Sequence, residues 1–276
     1  MTPDLLEIAE ALLPGVGLDR ARLFTGGLHD VVLLPGVAAV RVSRRPTEAE
    51  ALPARTELLR VIAAAGLPFE VPQPLTPVTR FGERAAVALS WLDGTALPDG
   101  VGDPARFADL LAALRDLPVT PELRAVVPAP RGYPAGRRWM DIFAGEVIPR
   151  LPAEWREDGE RRLAAALALE EVPDALVHGD LGGHNVHWGP DGKLIGVLDW
   201  DRAKLFDPAV DAAFLGWIHG WANVRDAVDP GTYRRARVWD ATFGITHLVA
   251  ALDRGPIAHA DSFVRHIVAW LENPEE

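Results

Sequence analysis

Between Leu176 and Asp211 the chain reads LVHGDLGGHNVHWGPDGKLIGVLDWDRAKLFDPAVD, which gathers acids, an amide and imidazoles at short spacing. A strand ends at His178-Gly179, and Asp180 follows on a turn. Asn185 comes five residues later, and a hairpin turned by GPDG at 189–192 delivers Asp199 at the end of a second strand. Two carboxylates and an amide are therefore expected to converge from adjacent strand ends. Oxygen ligands of this kind suit a hard cation such as Mg²⁺. Phosphoryl transfer needs such a cation to neutralise phosphate charge, and a carboxylate to orient the attacking hydroxyl. His178, His184 and His187 also cluster here, but His184 and His187 sit where a strand begins. With no third ligand at a convincing spacing, a transition-metal site is not expected.

The elements that must carry these residues fall into two stretches. Before residue 93 lie short β-like runs, Arg22 to Phe24, Val31 to Leu34, Ala38 to Val42 and Ala85 to Ser90, bounded by Gly, Pro and charged turn residues. One helix sits among them, Glu48 to Ala65, stopped by Gly66 and Pro68. After Asp93-Gly94 the pattern becomes helical. Asp103-Pro104 is a helix start with Asp as N-cap and Pro at the first helical position. Arg138 to Arg150, Glu154 to Glu171 and Pro208 to Leu271 read as further helices. Two short strands, Ala175 to His178 and Leu194 to Leu198, enclose the Gly- and His-rich loop. The expected division is 1–92 as a nucleotide-binding lobe and 93–276 as a catalytic and acceptor-binding lobe.

Bulk properties narrow the function classes. At 276 residues and 49% hydrophobic, the chain can bury a substantial core. It has no cysteine, which excludes disulfides, zinc thiolates and a cysteine nucleophile. A formal net charge of −11 disfavours nucleic-acid binding. The apolar runs are too short to span a bilayer, and the acidic N-terminus reads as an amphipathic helix without the basic region of a signal peptide. A cytoplasmic monomer is expected.

HGDLGGHN resembles the catalytic loop of the aminoglycoside phosphotransferase family, bacterial relatives of the protein kinases, and LDWD resembles that family's metal-binding segment. HGDLGGHNV, VLDWD and RTELLRVIAAAGLPFEVPQPL are most similar to the viomycin and capreomycin phosphotransferases within it. The resemblance implies an α+β, protein-kinase-like bilobal fold, with a small antiparallel-sheet lobe carrying one helix and a larger, mainly helical lobe. It implies Asp180 as the base, Asn185 and Asp199 as magnesium ligands, and His178 and Asp207 as braces of the loop. LFTGGLHDVVLL resembles the glycine turn over the nucleotide phosphates, placing Gly26 and Gly27 there, although an ordinary hairpin turn accounts for the pair equally. AVRVS resembles the strand whose cation faces the phosphates, here Arg41, and TELLRVI the helix whose acid pairs with it, Glu57 with Glu50 as rival. ALSWLDG resembles the segment whose backbone meets the purine, at Leu89, Ser90 and Trp91.

The implied activity is a Mg²⁺- and ATP- or GTP-dependent O-phosphotransferase acting on a hydroxyl of a small cationic antibiotic, a tuberactinomycin peptide or an aminoglycoside. A metabolic kinase for a sugar, amino alcohol or choline-like acceptor, or a macrolide phosphotransferase, shares the same catalytic residues. A non-catalytic kinase-like binding module is expected to lack the base or a metal ligand, and this chain keeps all three residues. Asp201, Asp226, Asp229 and Asp240 are candidate partners for substrate ammonium groups. Trp217, Trp221 and Trp239 are either core or a wall of the acceptor pocket.

Overall fold

The structure, a computed structural model, describes residues 4–26, 28–127, 132–133 and 137–242. In chain order the elements are α1 (Leu5–Leu12), β1 (Arg22–Thr25), β2 (His29–Leu34), β3 (Ala38–Ser43), α2 (Pro46–Ala64), β4 (Thr79–Phe81), β5 (Arg84–Ser90), α3 (Pro104–Arg115) and α4 (Pro121–Val126). There follow β6 (Gly132–Tyr133), β7 (Arg137–Arg138), α5 (Trp139–Ile142), α6 (Ala153–Leu167), β8 (Ala175–Val177), β9 (Val186–Trp188), β10 (Leu194–Val197), β11 (Lys204–Phe206), α7 (Ala209–His219), α8 (Trp221–Arg225) and α9 (Pro230–Asp240). The chain packs as two compact units. One comprises Met1–Leu97, Asp116–Val127 and Gly183–Ala203, the other Pro98–Arg115, Pro128–Gly182 and Lys204–Glu276. The first unit thus takes in the stretch 1–92 and adds two later segments to it.

In the first unit a five-stranded sheet runs in the order β1-β2-β3-β5-β4, every neighbouring pair antiparallel. Strand side chains alternate between faces. Val32 and Leu34 of β2, Ala38, Val40 and Val42 of β3, and Ala86 and Ala88 of β5 fall on one face. There they form a core with Ile8, Ala9 and Leu12 of α1. Burying an aliphatic side chain of this size stabilises by about 1.5–3 kcal/mol. Helix α1 starts at a capping box, in which Asp4 accepts from the Glu7 N–H and Glu7 from the Asp4 N–H. Arg41 alternates to the opposite face of β3, and α2 packs on the sheet through strands β3 and β5. Strand β4 was not anticipated: Thr79–Phe81 is short and mostly exposed, so it lacks the apolar alternation that marks the others.

Two backbone straps hold the β9–β10 hairpin inside this unit. On one edge Glu70 donates to the Ile195 carbonyl (2.8 Å) and accepts from the Val197 N–H (3.0 Å). On the other, Thr95 and Trp188 exchange two hydrogen bonds of 2.9 Å.

In the second unit, strand β11 pairs antiparallel with the fully buried β8. Strand β11 was also not anticipated: its three residues, with Leu205 and Phe206 both buried, show no apolar alternation. Helix α7 is buried along almost its whole length and packs against α3, α8 and α9. The expected helix over 138–150 is α-helical only at Trp139–Ile142 and continues as a π-turn and a 3₁₀ turn through Arg150. Gly145 and Pro149 disfavour regular α geometry there. The part of the expected C-terminal helix beyond residue 242 lies outside the described residues.

Gly196 sits where the Glu70 strap crosses β10, and a Cβ there would lie 2.7 Å from the Glu70 carbonyl oxygen and against Leu92 Cδ2. Gly196→Ala should therefore destabilise the chain by about 1–3 kcal/mol through overpacking. Urea unfolding should show the loss as a lower midpoint with an unchanged slope.

Candidate active site

The sheet face opposite α1 carries a buried charge cluster in the first unit. Arg41 Nη1 donates to Asp201 Oδ1 (3.1 Å) and Nη2 to Asp201 Oδ2 (2.6 Å), a bidentate pair between side chains 12% and 9% exposed. Arg55 of α2 lies 3.4 Å from the same carboxylate. Arg41 Nη2 also lies 3.5 Å from Asp199 Oδ1 and donates to His29 Nδ1 at 2.9 Å. Burial, and then the charge of Arg41, push the His29 imidazole down to about 3. The ring is thus neutral, and because Nδ1 accepts from Arg41, its proton is on Nε2, a buried donor without a partner. Burial works to raise the Asp201 carboxyl, but the charge and hydrogen bonds of Arg41, with Arg55 behind it, hold it below the usual carboxylate range.

Asn185 and Asp199 bracket the same end of the β9–β10 hairpin. Val186 pairs with Val197, and the Leu198 N–H donates to the Asn185 carbonyl at 2.7 Å. Asn185 is buried, whereas the Asp199 side chain is 50% exposed. Asp199 is the one non-glycine residue among those described with positive φ, at φ 53° and ψ 66°. A left-handed backbone at an L-residue costs roughly 1–2 kcal/mol. An amide oxygen and an exposed carboxylate at one hairpin end are the hard donors that Mg²⁺ takes alongside phosphate oxygens and water, so the residues fit that ion.

The expected nucleotide residues are distributed less evenly. The Gly26 N–H donates to the His29 carbonyl (2.8 Å) and closes the β1–β2 turn, while Gly27 lies outside the described residues. Leu89 lies opposite Ala39 in the β3–β5 ladder. The Ser90 N–H is committed to the Gln73 carbonyl (2.8 Å), and Trp91 Nε1 to Asp93 Oδ1 (2.8 Å). Glu57 does not pair with Arg41. It is 52% exposed and bonded to Arg60 at 3.0 Å, and Glu50 is exposed as well. The reason is helical phase. Glu48, Leu52, Thr56, Leu59 and Ile62 form the buried stripe of α2, and Arg55 lies half-buried beside it whereas Glu50 and Glu57 are exposed.

Asp180 belongs to the second unit, half-buried on a turn closed by the Gly182 N–H donating to its carbonyl (2.7 Å). The turn before it is held by a residue that sequence reasoning overlooked. Asp211 of α7, fully buried, accepts from the N–H groups of His178 (2.8 Å) and Gly179 (2.9 Å). Burial pushes its carboxyl up, against the downward pull of His178 and the two amides. The brace expected of Asp207 is thus made by Asp211. Asp207 instead accepts from the Ala209 N–H (3.0 Å), Trp239 Nε1 (2.9 Å) and Arg235 Nε (3.1 Å), tying α7 to α9.

Residues 21–243 match the phosphotransferase enzyme family. The chain is also 34% identical to viomycin phosphotransferase of Streptomyces vinaceus over 230 residues, 78% of each protein. It belongs to the phosphotransferase enzyme family. Its fold matches solved structures of the GDP complex of wild-type aminoglycoside 2'-phosphotransferase-IIIa (TM-score 0.79, 17% identity, 98% of each chain). It likewise matches a macrolide 2'-phosphotransferase from Brachybacterium faecium (TM-score 0.70, 20% identity, 99% of this chain and 98% of that one). The protein-kinase-like α+β architecture expected from the motifs is therefore the fold of this phosphotransferase.

Of the acids considered for substrate ammonium groups, Asp201 is taken by arginines and Asp229 caps α9 through Gly231 and Thr232. Trp221 is buried between Tyr233, in edge contact at 5.6 Å, and Arg237, 4.4 Å over its ring, and Trp239 is buried against Phe206. These two tryptophans are core of the phosphotransferase. A legible signal existed for Asp211, a lone acid in the apolar run AVDAAFLGW, because a buried charge demands partners.

Asp211→Asn keeps the shape but leaves one amide oxygen for two N–H donors and points an NH₂ at one of them. The stability loss should be about 1–3 kcal/mol. The displaced turn should also lower kcat by roughly 10-fold or more while nucleotide KM changes little. Thermal denaturation and steady-state kinetics read the two effects.

Proposed function

We propose that this phosphotransferase moves the γ-phosphoryl group of ATP or GTP to a hydroxyl of a cationic antibiotic of the viomycin type, and so inactivates it. The observation that carries the reading is the 34% identity to viomycin phosphotransferase across 78% of the chain. It is supported by the retention of Asp180, Asn185 and Asp199 together. The net charge of −11 favours a positively charged acceptor by long-range attraction. The aminoglycoside and macrolide enzymes that share the fold are too distant in sequence, at 17% and 20% identity, to favour their own substrates.

In this reading Asp180 accepts the proton of the acceptor hydroxyl as the oxygen attacks phosphorus. Asn185 and Asp199 would hold Mg²⁺, which when bound would neutralise phosphate charge. Arg41 fixes the phosphates through N–H groups of a guanidinium that cannot lose its charge. Gly26 belongs to the turn above them, and the backbone of Leu89, Ser90 and Trp91 meets the nucleotide base. Among the described residues no helix is long and apolar enough to cross a membrane. We take the working form to be a cytoplasmic monomer.

A γ-phosphate transfer screen over viomycin, capreomycin, aminoglycosides, macrolides and choline tests the substrate class. Viomycin-type peptides should give the highest kcat/KM, with a KM that rises with salt as attraction is screened. A preferred neutral acceptor would sink the substrate assignment. Asp180→Asn should lower kcat by about 10²–10⁴-fold with little change in nucleotide affinity. Near wild-type turnover would remove Asp180 as base. Asp199→Ala should abolish most of the Mg²⁺-dependent part of nucleotide binding, measured by calorimetric titration of ATP with and without the metal. Unchanged metal dependence would place the cation elsewhere.

A further inference from the structure

We infer that Asp201 is the positioning residue for Arg41, an acid supplied by the turn behind β10, beside which α2 places a second cation, Arg55. The inference rests on the reading of Arg41 as the phosphate-facing cation.

The first argument is elimination. Among the described residues, the acids within ion-pair distance of Arg41 are Asp199 and Asp201. Asp199 approaches at 3.5 Å with one oxygen and a half-exposed side chain. Asp201 receives two hydrogen bonds from a side chain as buried as itself. A planar fork-to-fork contact of this kind fixes the plane and the direction of a guanidinium, which a single-point contact does not.

The second argument is donor accounting. A guanidinium has five N–H groups. Arg41 spends one on Asp201 Oδ1, one on Asp201 Oδ2 and one on His29 Nδ1. Two remain, the Nε–H and the second hydrogen of Nη1. The carboxylate and the imidazole together hold the fork from one side, so the remaining donors are directed, not swivelling. Arg55 does not compete for that geometry. Its charge lies 3.4 Å from Asp201 Oδ2 and faces the same carboxylate from α2.

The third argument is the rigidity of the turn. Trp200, between the two aspartates, is buried and donates its Nε1–H to the Val197 carbonyl at 2.9 Å. One short turn therefore presents Asp199 outward and Asp201 inward. The residue read as a metal ligand and the acid that orients Arg41 are set by the same backbone.

The test measures affinity for ATP and GTP, and KM and kcat with viomycin as acceptor, for Asp201→Asn, Arg41→Ala, the double variant and Glu57→Ala. Asp201→Asn should raise nucleotide KM and lower kcat, together on the order of 10- to 100-fold in kcat/KM. Glu57→Ala should stay within about twofold of the parent. In the Arg41→Ala background, Asp201→Asn should add little, since nothing is left to position. Asp201→Glu, which keeps charge and fork, should recover part of the nucleotide affinity, an outcome that a merely structural role does not produce. If Asp201→Asn fails to fold, Arg55→Gln/Asp201→Asn removes one cation with the anion and serves in its place. Full additivity of Arg41→Ala and Asp201→Asn overturns the inference alone, as does a Glu57→Ala defect as large as that of Asp201→Asn. A parent chain that neither binds nucleotide nor transfers phosphate overturns the functional reading, and this inference with it.

Discussion

A guanidinium buried on the helix-covered face of a sheet has to meet an anion, and much of the first unit is arranged around that requirement. Taking an unpaired charge out of water costs several kcal/mol, and breaking such a pair typically costs about 3–5 kcal/mol. Arg41 meets it through Asp201, which lies 160 residues away in sequence. The pair can form only if the hairpin β9–β10 is docked in this unit, which is what the straps at Glu70 and Thr95 do. Strand, hairpin and turn are thus mutually dependent. Docking the hairpin supplies the acid, and the acid makes the buried cation tolerable.

The same logic organises the second unit with opposite charges. Asp207 and Asp211 are buried four residues apart at the start of α7. One is satisfied by a guanidinium, an indole and a helix N–H, the other by two N–H groups of the turn ahead of Asp180. Hydrogen bonds to a charged acceptor are stronger than neutral ones, so a buried carboxylate is an effective clamp for a loop that has no regular structure of its own. The helix carries the loop, and the loop carries Asp180.

How far the sequence discloses this depends on the range of the interaction. HGDLGGHN and LDWD are local: a turn, a fixed spacing and a strand end are enough to single out Asp180, Asn185 and Asp199 as candidates. Alternation in AAVRVS similarly puts Arg41 on the face opposite Val40 and Val42. The partner of Arg41 is not local. Choosing Glu57 depended on which side of α2 meets the sheet, a matter of rotation about the helix axis. The Leu52-Thr56-Leu59-Ile62 stripe holds that information and points to Arg55, but resemblance to a helix that carries an acid outweighed it. Strands β4 and β11 escaped because three-residue strands with little apolar alternation are defined by their partners, not by their own composition.

The charge balance around Asp201 explains why a cation on α2 is compatible with the site. Two arginines, Arg41 and Arg55, face two aspartates, Asp199 and Asp201, and the neighbouring His29 is held neutral. The cluster is close to neutral as a whole, yet its charges are segregated by depth. Asp201 is buried between the guanidinium groups, and Asp199 stands half in solvent. A helix acid at position 55 would add a third carboxylate beside Asp201, and like charges at that distance would repel by several kcal/mol at the low effective dielectric of a buried site. Once the turn after β10 supplies the inward acid, position 55 of the helix favours a cation over an acid. The arginine on α2 is therefore the electrostatic complement of an aspartate placed two residues beyond Asp199. The two positions should be understood, and altered, as one unit.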